Sequence, residues 1–243
     1  MVPTGKCPDR RGNPSSTWRW FNWGSARAFG NLVGHIAART GVKAFVPDYR
    51  LAPEDPFPAA VEDVRASYFG LIERRYSKIA FTGDSAEGNL ALGLLSFAMA
   101  QKASDVLPVA AGVFSPVTDL TLSGASWETR AAVDPYFLRS QVVELVRSYL
   151  AGEAPADPLA SPLYGELAGL PPIRVHVGDD EVLLDDSRRY VERAVAAGVD
   201  ARVDVWEGMA HGFLSGIGRL AASTQSLDAI GAFLADRLMA SSK

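Results

Sequence analysis

Apolar positions along this chain follow two alternating rhythms. In ARAFGNLVGHIAART (26–40) Phe29, Leu32, Val33 and Ile36 recur at helical spacing, and Gly41 supplies a stop. VKAFV (42–46) is a short apolar run and predicts a strand. FPAAVEDVRASYFGLIE (57–73) puts Val61, Val64, Tyr68 and Leu71 on one helical stripe. KIAFT (78–82) predicts a strand, SAEGNLALGLLSFAMAQ (85–101) a helix and LPVAAGVFS (107–115) a strand. Residues 115–172 are rich in Pro and Asp and interrupt the pattern, apart from a helix predicted at QVVELVRSYLAG (141–152). IRVHV (173–177) and ARVDVW (201–206) then predict strands, and DDSRRYVERAVAAG (185–198) and TQSLDAIGAFLADRLM (224–239) predict helices. Short apolar strands alternating with amphipathic helices predict an α/β domain over 26–243, a mostly parallel sheet with helices on both faces. Residues 1–25 have neither period, much Pro, Gly and Ser, and three of the five tryptophans, and predict an irregular arm.

Composition narrows the chemistry. A chain of 243 residues, 48% apolar and 21% charged, has the balance of an ordinary globule. A net charge of −4 without a basic cluster argues against nucleic acid as a partner. One cysteine, Cys7, excludes an internal disulfide, and three histidines leave little scope for a metal centre. No apolar stretch reaches the roughly 18 residues of a membrane span, and no signal core opens the chain. The expectation is a cytoplasmic protein with no metal and no membrane partner.

One stretch, 81-FTGDSAEGNL-90, carries a candidate nucleophile. Ser85 lies between a predicted strand and a predicted helix. On such an elbow the hydroxyl stands above the sheet, and the Ala86 N–H points toward a developing oxyanion at the positive helix end. A serine there can also be a simple N-cap. A nucleophilic serine needs a base, and His211 in 206-WEGMAHGF-213 follows the last strand at the same edge of the sheet. His35 sits on an amphipathic helix, and mid-strand His176 faces a helix layer rather than a ligand. The base needs a carboxylate, and 178-GDDEVLLDDS-187 offers Asp179, Asp180 and Glu181, with Asp185 and Asp186 expected to cap the next helix. The chain order serine, acid, histidine is that of α/β-hydrolases, each member following a different strand. Asp84 and Phe213 are candidate pocket residues, although packing of the histidine loop is the preferred role for Phe213 and Trp206.

Together, 48-DYRLAPEDPFPAAVED-63, 83-GDSAEGNLA-91, 157-DPLASPL-163, 169-GLPP-172, 178-GDDEVLLDDS-187 and 207-EGMAHGF-213 resemble the hormone-sensitive-lipase-like (bacterial type IV) esterases of the α/β-hydrolase fold, over about residues 26–240. The resemblance implies Ser85 as nucleophile, His211 as base and an acid thirty residues before it, which is Glu181, with Asp180 second. It implies hydrolysis of short-chain acyl esters through an acyl-enzyme, with no cofactor and a small-molecule ester as substrate; a lactone hydrolase would use the same groups. In that family the edge corresponding to ARVDVW often pairs two copies, so a homodimer is implied. Arg50 and Glu54 are expected to support the elbow region, and Asp119 and Asp157 to organise loops.

Two departures matter. The family's His-Gly-Gly-Gly stretch, a source of oxyanion N–H donors, is absent, and 17-TWRWFNWGS-25 stands in its place, so the usual N-terminal strands and cap are not recognisable. Codons TGG-CGG-TGG for Trp-Arg-Trp, read one base later, encode glycines. Residues 1 to about 20 are therefore either a native arm or out of frame relative to an ancestral gene. Glu87 replaces the family's second glycine, adding bulk, and a charge that suits the helix dipole but opposes an oxyanion. The two departures raise the alternative of a catalytically impaired hydrolase-like protein or fragment.

Overall fold

A computed structural model describes residues 21–22, 25–27, 29–101 and 106–240. The expected irregular arm, 1–25, lies almost wholly outside the described residues. Four strands form one parallel sheet in the order β1-β2-β3-β4: β1 (Ile79–Asp84), β2 (Pro108–Phe114), β3 (Ile173–Gly178) and β4 (Ala201–Trp206). The helices are α1 (Gly30–Thr40), α2 (Ala59–Glu73), α3 (Ala86–Gln101), the single turn α4 (Ser126–Thr129), α5 (Arg139–Leu150), α6 (Leu184–Ala196) and α7 (Ala221–Met239).

The strands are continuous apolar runs because both faces are covered. Alternation along β2 makes this concrete. Ala111 and Val113 enter the larger core with α2, α3, α5 and α6, whereas Ala110 and Phe114 enter the smaller core with Ile36 of α1 and Leu227, Ile230 and Leu234 of α7. Between them Gly112 faces α7 so closely that a Cβ would lie 2.8 Å from Ile230 Cγ2. Parallel strands leave the sheet at one edge, so the loops after β1, β2, β3 and β4 converge there.

One predicted strand does not form. Residues 42–46 pair with no strand among the described residues, and Phe45 is 54% exposed. An extended apolar run becomes a strand only when a neighbour accepts its ladder, and β1 has β2 on one side and no described strand on the other. The N-terminal helix starts at Gly30 rather than Ala26.

The two aspartates expected to cap α6 do something else. Its N-cap is Leu183, and Asp185 and Asp186 sit in its first turn. Asp185 accepts the Ser126 N–H (2.8 Å), and fully buried Asp186 accepts the N–H groups of Thr118 (2.7 Å) and Asp119 (2.9 Å). Asp186 thereby ties the loop after β2 to the start of α6. Burial pushes its carboxyl up to about 8, in spite of those two donors. Arg50 is half exposed and grips Asp63 of α2 (2.9 Å), while Glu54 is exposed. Asp119 accepts from Thr121, Ser123, Arg189 and Tyr164, which knits the 119–123 loop to α6.

Candidate active site

The end of β1 turns sharply into α3 at Ser85, whose φ is +59°. A non-glycine residue holds that conformation only when its surroundings fix it. Here three backbone bonds do so: the Ser85 N–H donates to Phe114 O (2.9 Å), and Ser85 O accepts from Asn89 (3.2 Å) and Val117 (3.1 Å). Asn89 adds two side-chain bonds, to Val117 O and Ala160 O, both 2.8 Å. The turn is tight enough that a Cβ at Gly83 would lie 2.3 Å from Glu87 O, so glycine is required there. Ala86 opens α3, where the first N–H groups have no intrahelical acceptor. With a positive φ, Ser85 departs from the extended backbone of an ordinary N-cap and matches a strand-to-helix elbow.

The loop after β3 delivers Glu181, fully buried. Its Oε2 lies 2.7 Å from His211 Nδ1, and its Oε1 accepts the Gly178 N–H and the Ser115 hydroxyl, both at 2.6 Å. A carboxylate at Nδ1 fixes the proton there, so Nε2 is the nitrogen with base character. Burial, the largest effect, pulls the His211 pKa down. The Glu181 hydrogen bond and the charges of Glu181, Asp84 and Asp134 outweigh it, and the net shift is upward. The Phe137 ring packs 4.8 Å from the imidazole.

The neighbouring acids fall elsewhere. Asp179 accepts the Gly208 N–H (2.7 Å), which anchors the loop leading to His211. Asp180 is half-buried and contributes its backbone N–H to Met209 O (3.1 Å). Gly178 approaches Met209 so closely that a Cβ would lie 1.9 Å from the Met209 carbonyl oxygen.

Asp84 is buried directly before the nucleophile, and burial pushes its carboxyl up to about 7; the nearby His211 works against that rise. Phe213, a candidate pocket residue, belongs to the small core instead. It is 6% exposed and packs against Trp206 at 6.2 Å, because the turn Phe213–Gly216 folds under α7. Phe137 is the ring beside His211, and with Ser115, Asn89 and Asp134 it makes up the contributors that sequence reasoning passed over. Position alone could have flagged Ser115, which follows β2 at the shared edge. Asp134 accepts the Val182 N–H (2.9 Å) next to Glu181.

Glu87, in the first turn of α3, accepts a hydrogen bond from the Tyr49 hydroxyl (2.7 Å). Burial raises its pKa, with the Tyr49 bond opposing; burial and the nearby Glu87 raise that of Tyr49. In the stretch that replaces the glycine loop, Phe21 stacks on Tyr149 (3.9 Å, 10°) and Asn22 reaches Ser148 (3.3 Å). Residues 17–20, 23 and 24 lie outside the described residues.

A second Ser-His-Asp group lies on the α7 face. His176 Nδ1 is 2.8 Å from Ser226 Oγ and accepts from Trp206 Nε1 (3.2 Å), and Nε2 is 3.4 Å from Asp204. Ser226 is fully buried in mid-helix, with no helix N-terminus to hold an oxyanion, and burial pulls His176 down to about 4. His176 is a neutral packing residue, bordering a cavity of about 460 Å³ lined also by Arg174, Asp204 and Phe233. Among the described residues no three His, Cys, Asp or Glu side chains gather as metal ligands, and no helix is long and apolar enough to cross a membrane.

Comparison with known proteins agrees with this fold. The alpha/beta hydrolase fold family model matches residues 20–215. An acetyl-hydrolase of Streptomyces hygroscopicus is 38% identical over 190 residues, which is 77% of this chain and 63% of the relative. An esterase of Acinetobacter venetianus is 35% identical, covering 79% of this chain and 64% of its own. The chain thus spans a little under two thirds of the length of these relatives. Among solved structures, an esterase from the bacterial hormone-sensitive lipase family is 42% identical with a TM-score of 0.84, covering 88% of this chain and 72% of that one. The esterase EstE5 is 36% identical with a TM-score of 0.87, covering 90% and 74%. By fold and by sequence, the chain belongs to the alpha/beta hydrolase fold family, in the bacterial hormone-sensitive lipase group.

Proposed function

We propose that this chain is a serine carboxylesterase for short-chain acyl esters. Ser85 is the nucleophile, His211 the base and Glu181 the acid. The observation that carries the proposal is the Glu181–His211 pair, Oε2 to Nδ1 at 2.7 Å, placed at the same sheet edge as a serine held at positive φ. Ser85 Oγ attacks the ester carbonyl while its proton passes to His211 Nε2. The carbonyl electrons move to oxygen, where the Ala86 N–H supports the oxyanion. Collapse expels the alcohol, which takes the proton from His211. Water then repeats the cycle on the acyl-enzyme. Asp84 and Asp134 lie within the electrostatic field of the imidazole and stabilise its charged form.

Hydrolysis of p-nitrophenyl acetate and butyrate by wild type and Ser85→Ala tests the proposal. Equal rates would overturn it. Glu87 favours the second reading, an impaired hydrolase, because its carboxyl sits one residue beyond the oxyanion donor. We also propose a homodimer through the edge of β4 that no strand among the described residues covers. Antiparallel pairing about Val203 would set each Arg202 opposite the partner's Asp204, a self-complementary register. Sedimentation of the wild type beside Arg202→Asp checks it: a monomer in both cases removes the dimer.

A further inference from the structure

Glu87 is the titratable group near the nucleophile that the proposed mechanism does not use. Its charged and titratable surroundings among the described residues are as follows. Tyr49, from the segment before α2, donates to its Oε1 at 2.7 Å. Asp84, at the end of β1, and His211, in the loop after β4, lie within its electrostatic reach. Glu181 and Asp134 act on the same imidazole, and Tyr149 acts on Tyr49. Arg65 of α2 is directed elsewhere, 4.0 Å over Phe97 in the far half of α3. Among the described residues no ion pair neutralises Glu87.

Resting on the esterase proposal, we propose that the Tyr49–Glu87 pair tunes acyl transfer. The uncharged Glu87 carboxyl permits the oxyanion beside Ala86, and the ionised carboxylate opposes it. Glu87 is one residue from the donor, at the helix end where the negative charge must develop, and like charges in a desolvated site repel strongly. Burial favours the uncharged form, and the Tyr49 hydroxyl favours the ionised one. Glu87 is therefore a tuning residue that acts through the field at Ser85, and it makes the site acid-favoured.

The test uses diethyl p-nitrophenyl phosphate, a neutral probe. A Ser85 Oγ–P bond forms, the bond to p-nitrophenolate breaks, and the Ser85 proton passes to His211. Intact mass confirms the adduct, and p-nitrophenolate release gives its rate between pH 5 and 9. The Glu87→Gln to wild-type rate ratio is expected to rise with pH, toward about tenfold at the alkaline end. His211 titrates in both proteins and is coupled to Glu87, so the ratio is compared above the acid limb, where the imidazole is neutral in wild type and variant alike. Tyr49→Phe, which loses the donor that favours the ionised carboxylate, is expected to shift the wild-type midpoint to higher pH. A ratio that stays flat with pH, or Glu87→Gln slower throughout, overturns the inference while leaving the esterase proposal standing. No adduct on any form, wild type included, overturns the esterase proposal and this inference with it.

Discussion

Replacing Glu181 by glutamine is nearly isosteric, yet the hydrogen-bond pattern dictates a large effect. The Glu181 Oε1 position accepts from the Gly178 N–H and Ser115 Oγ, both at 2.6 Å. A backbone N–H can only donate, so the carbonyl oxygen of the introduced amide must take that position. The amide nitrogen then faces His211 Nδ1 as a donor, and Nδ1 must become the acceptor. The proton moves to Nε2, the nitrogen that has to receive the Ser85 proton. A wrong tautomer in an otherwise intact triad lowers kcat by about 10⁴, roughly 5.5 kcal/mol of transition-state stabilisation. The assay is kcat for p-nitrophenyl butyrate, with circular dichroism and a melting curve to show that the substitution leaves the fold in place. Asp180→Asn is the control and is expected to stay within twofold, because Asp180 uses its backbone rather than its carboxyl in this loop. Glu181→Gln within tenfold of wild type, or a loss confined to Asp180→Asn, would refute the reasoning.

Ser115→Ala removes one of two donors to Glu181 Oε1, and a bond to a charged group is worth about 1.5–3 kcal/mol of stability by urea denaturation. The less stabilised carboxylate should hold the His211 proton more tightly, so the acid limb of the pH–rate profile shifts to higher pH. Gly178→Ala would put a Cβ 1.9 Å from the Met209 carbonyl oxygen, so the histidine loop must move; a melting temperature and kcat close to wild type would contradict this. Asp186 has a carboxyl raised from 3.8 to about 8 in the folded chain, so its contribution is fully present below about pH 4 and is lost as pH rises toward and through 8. Asp186→Asn should flatten that fall in stability between pH 4 and 9, and an unchanged slope would count against it.

The elements that the hydrophobic pattern predicted are mostly those that tertiary packing also rewards. The ARVDVW strand runs from Ala201 to Trp206 as read, because its apolar alternation and its pairing to β3 agree. VKAFV carried an equally clear apolar signal and forms no strand, since periodicity reports burial potential and not the presence of a partner. Ser85 and His211 stood out as candidates because each follows a strand in the order that the chemistry requires, whereas strand order left Asp179, Asp180 and Glu181 open and only the family resemblance singled out Glu181. Ser115 was passed over although it follows β2 at the same edge, because the run LPVAAGVFS read it as the last residue of the strand. For Phe213 the sequence offered pocket wall or packing, with packing preferred, and the Phe213–Gly216 turn carries it beneath α7. Tyr49 lay in a recognised motif, yet nothing in its spacing joined it to Glu87, 38 residues away.

The position of β1 at the margin of the described sheet has a consequence for amide exchange. Ser85 donates its N–H toward β2, and the two-residue alternation of a strand therefore directs the amides of Phe81 and Gly83 the same way. Those of Ala80, Thr82 and Asp84 point outward, where no strand among the described residues receives them. In deuterated water the strand that carries the nucleophile should exchange as two interleaved populations, one slow and one fast. Any peptide segment that adds to this edge would slow the fast set alone, so those three amides serve as a built-in reporter of strand addition beside Ser85.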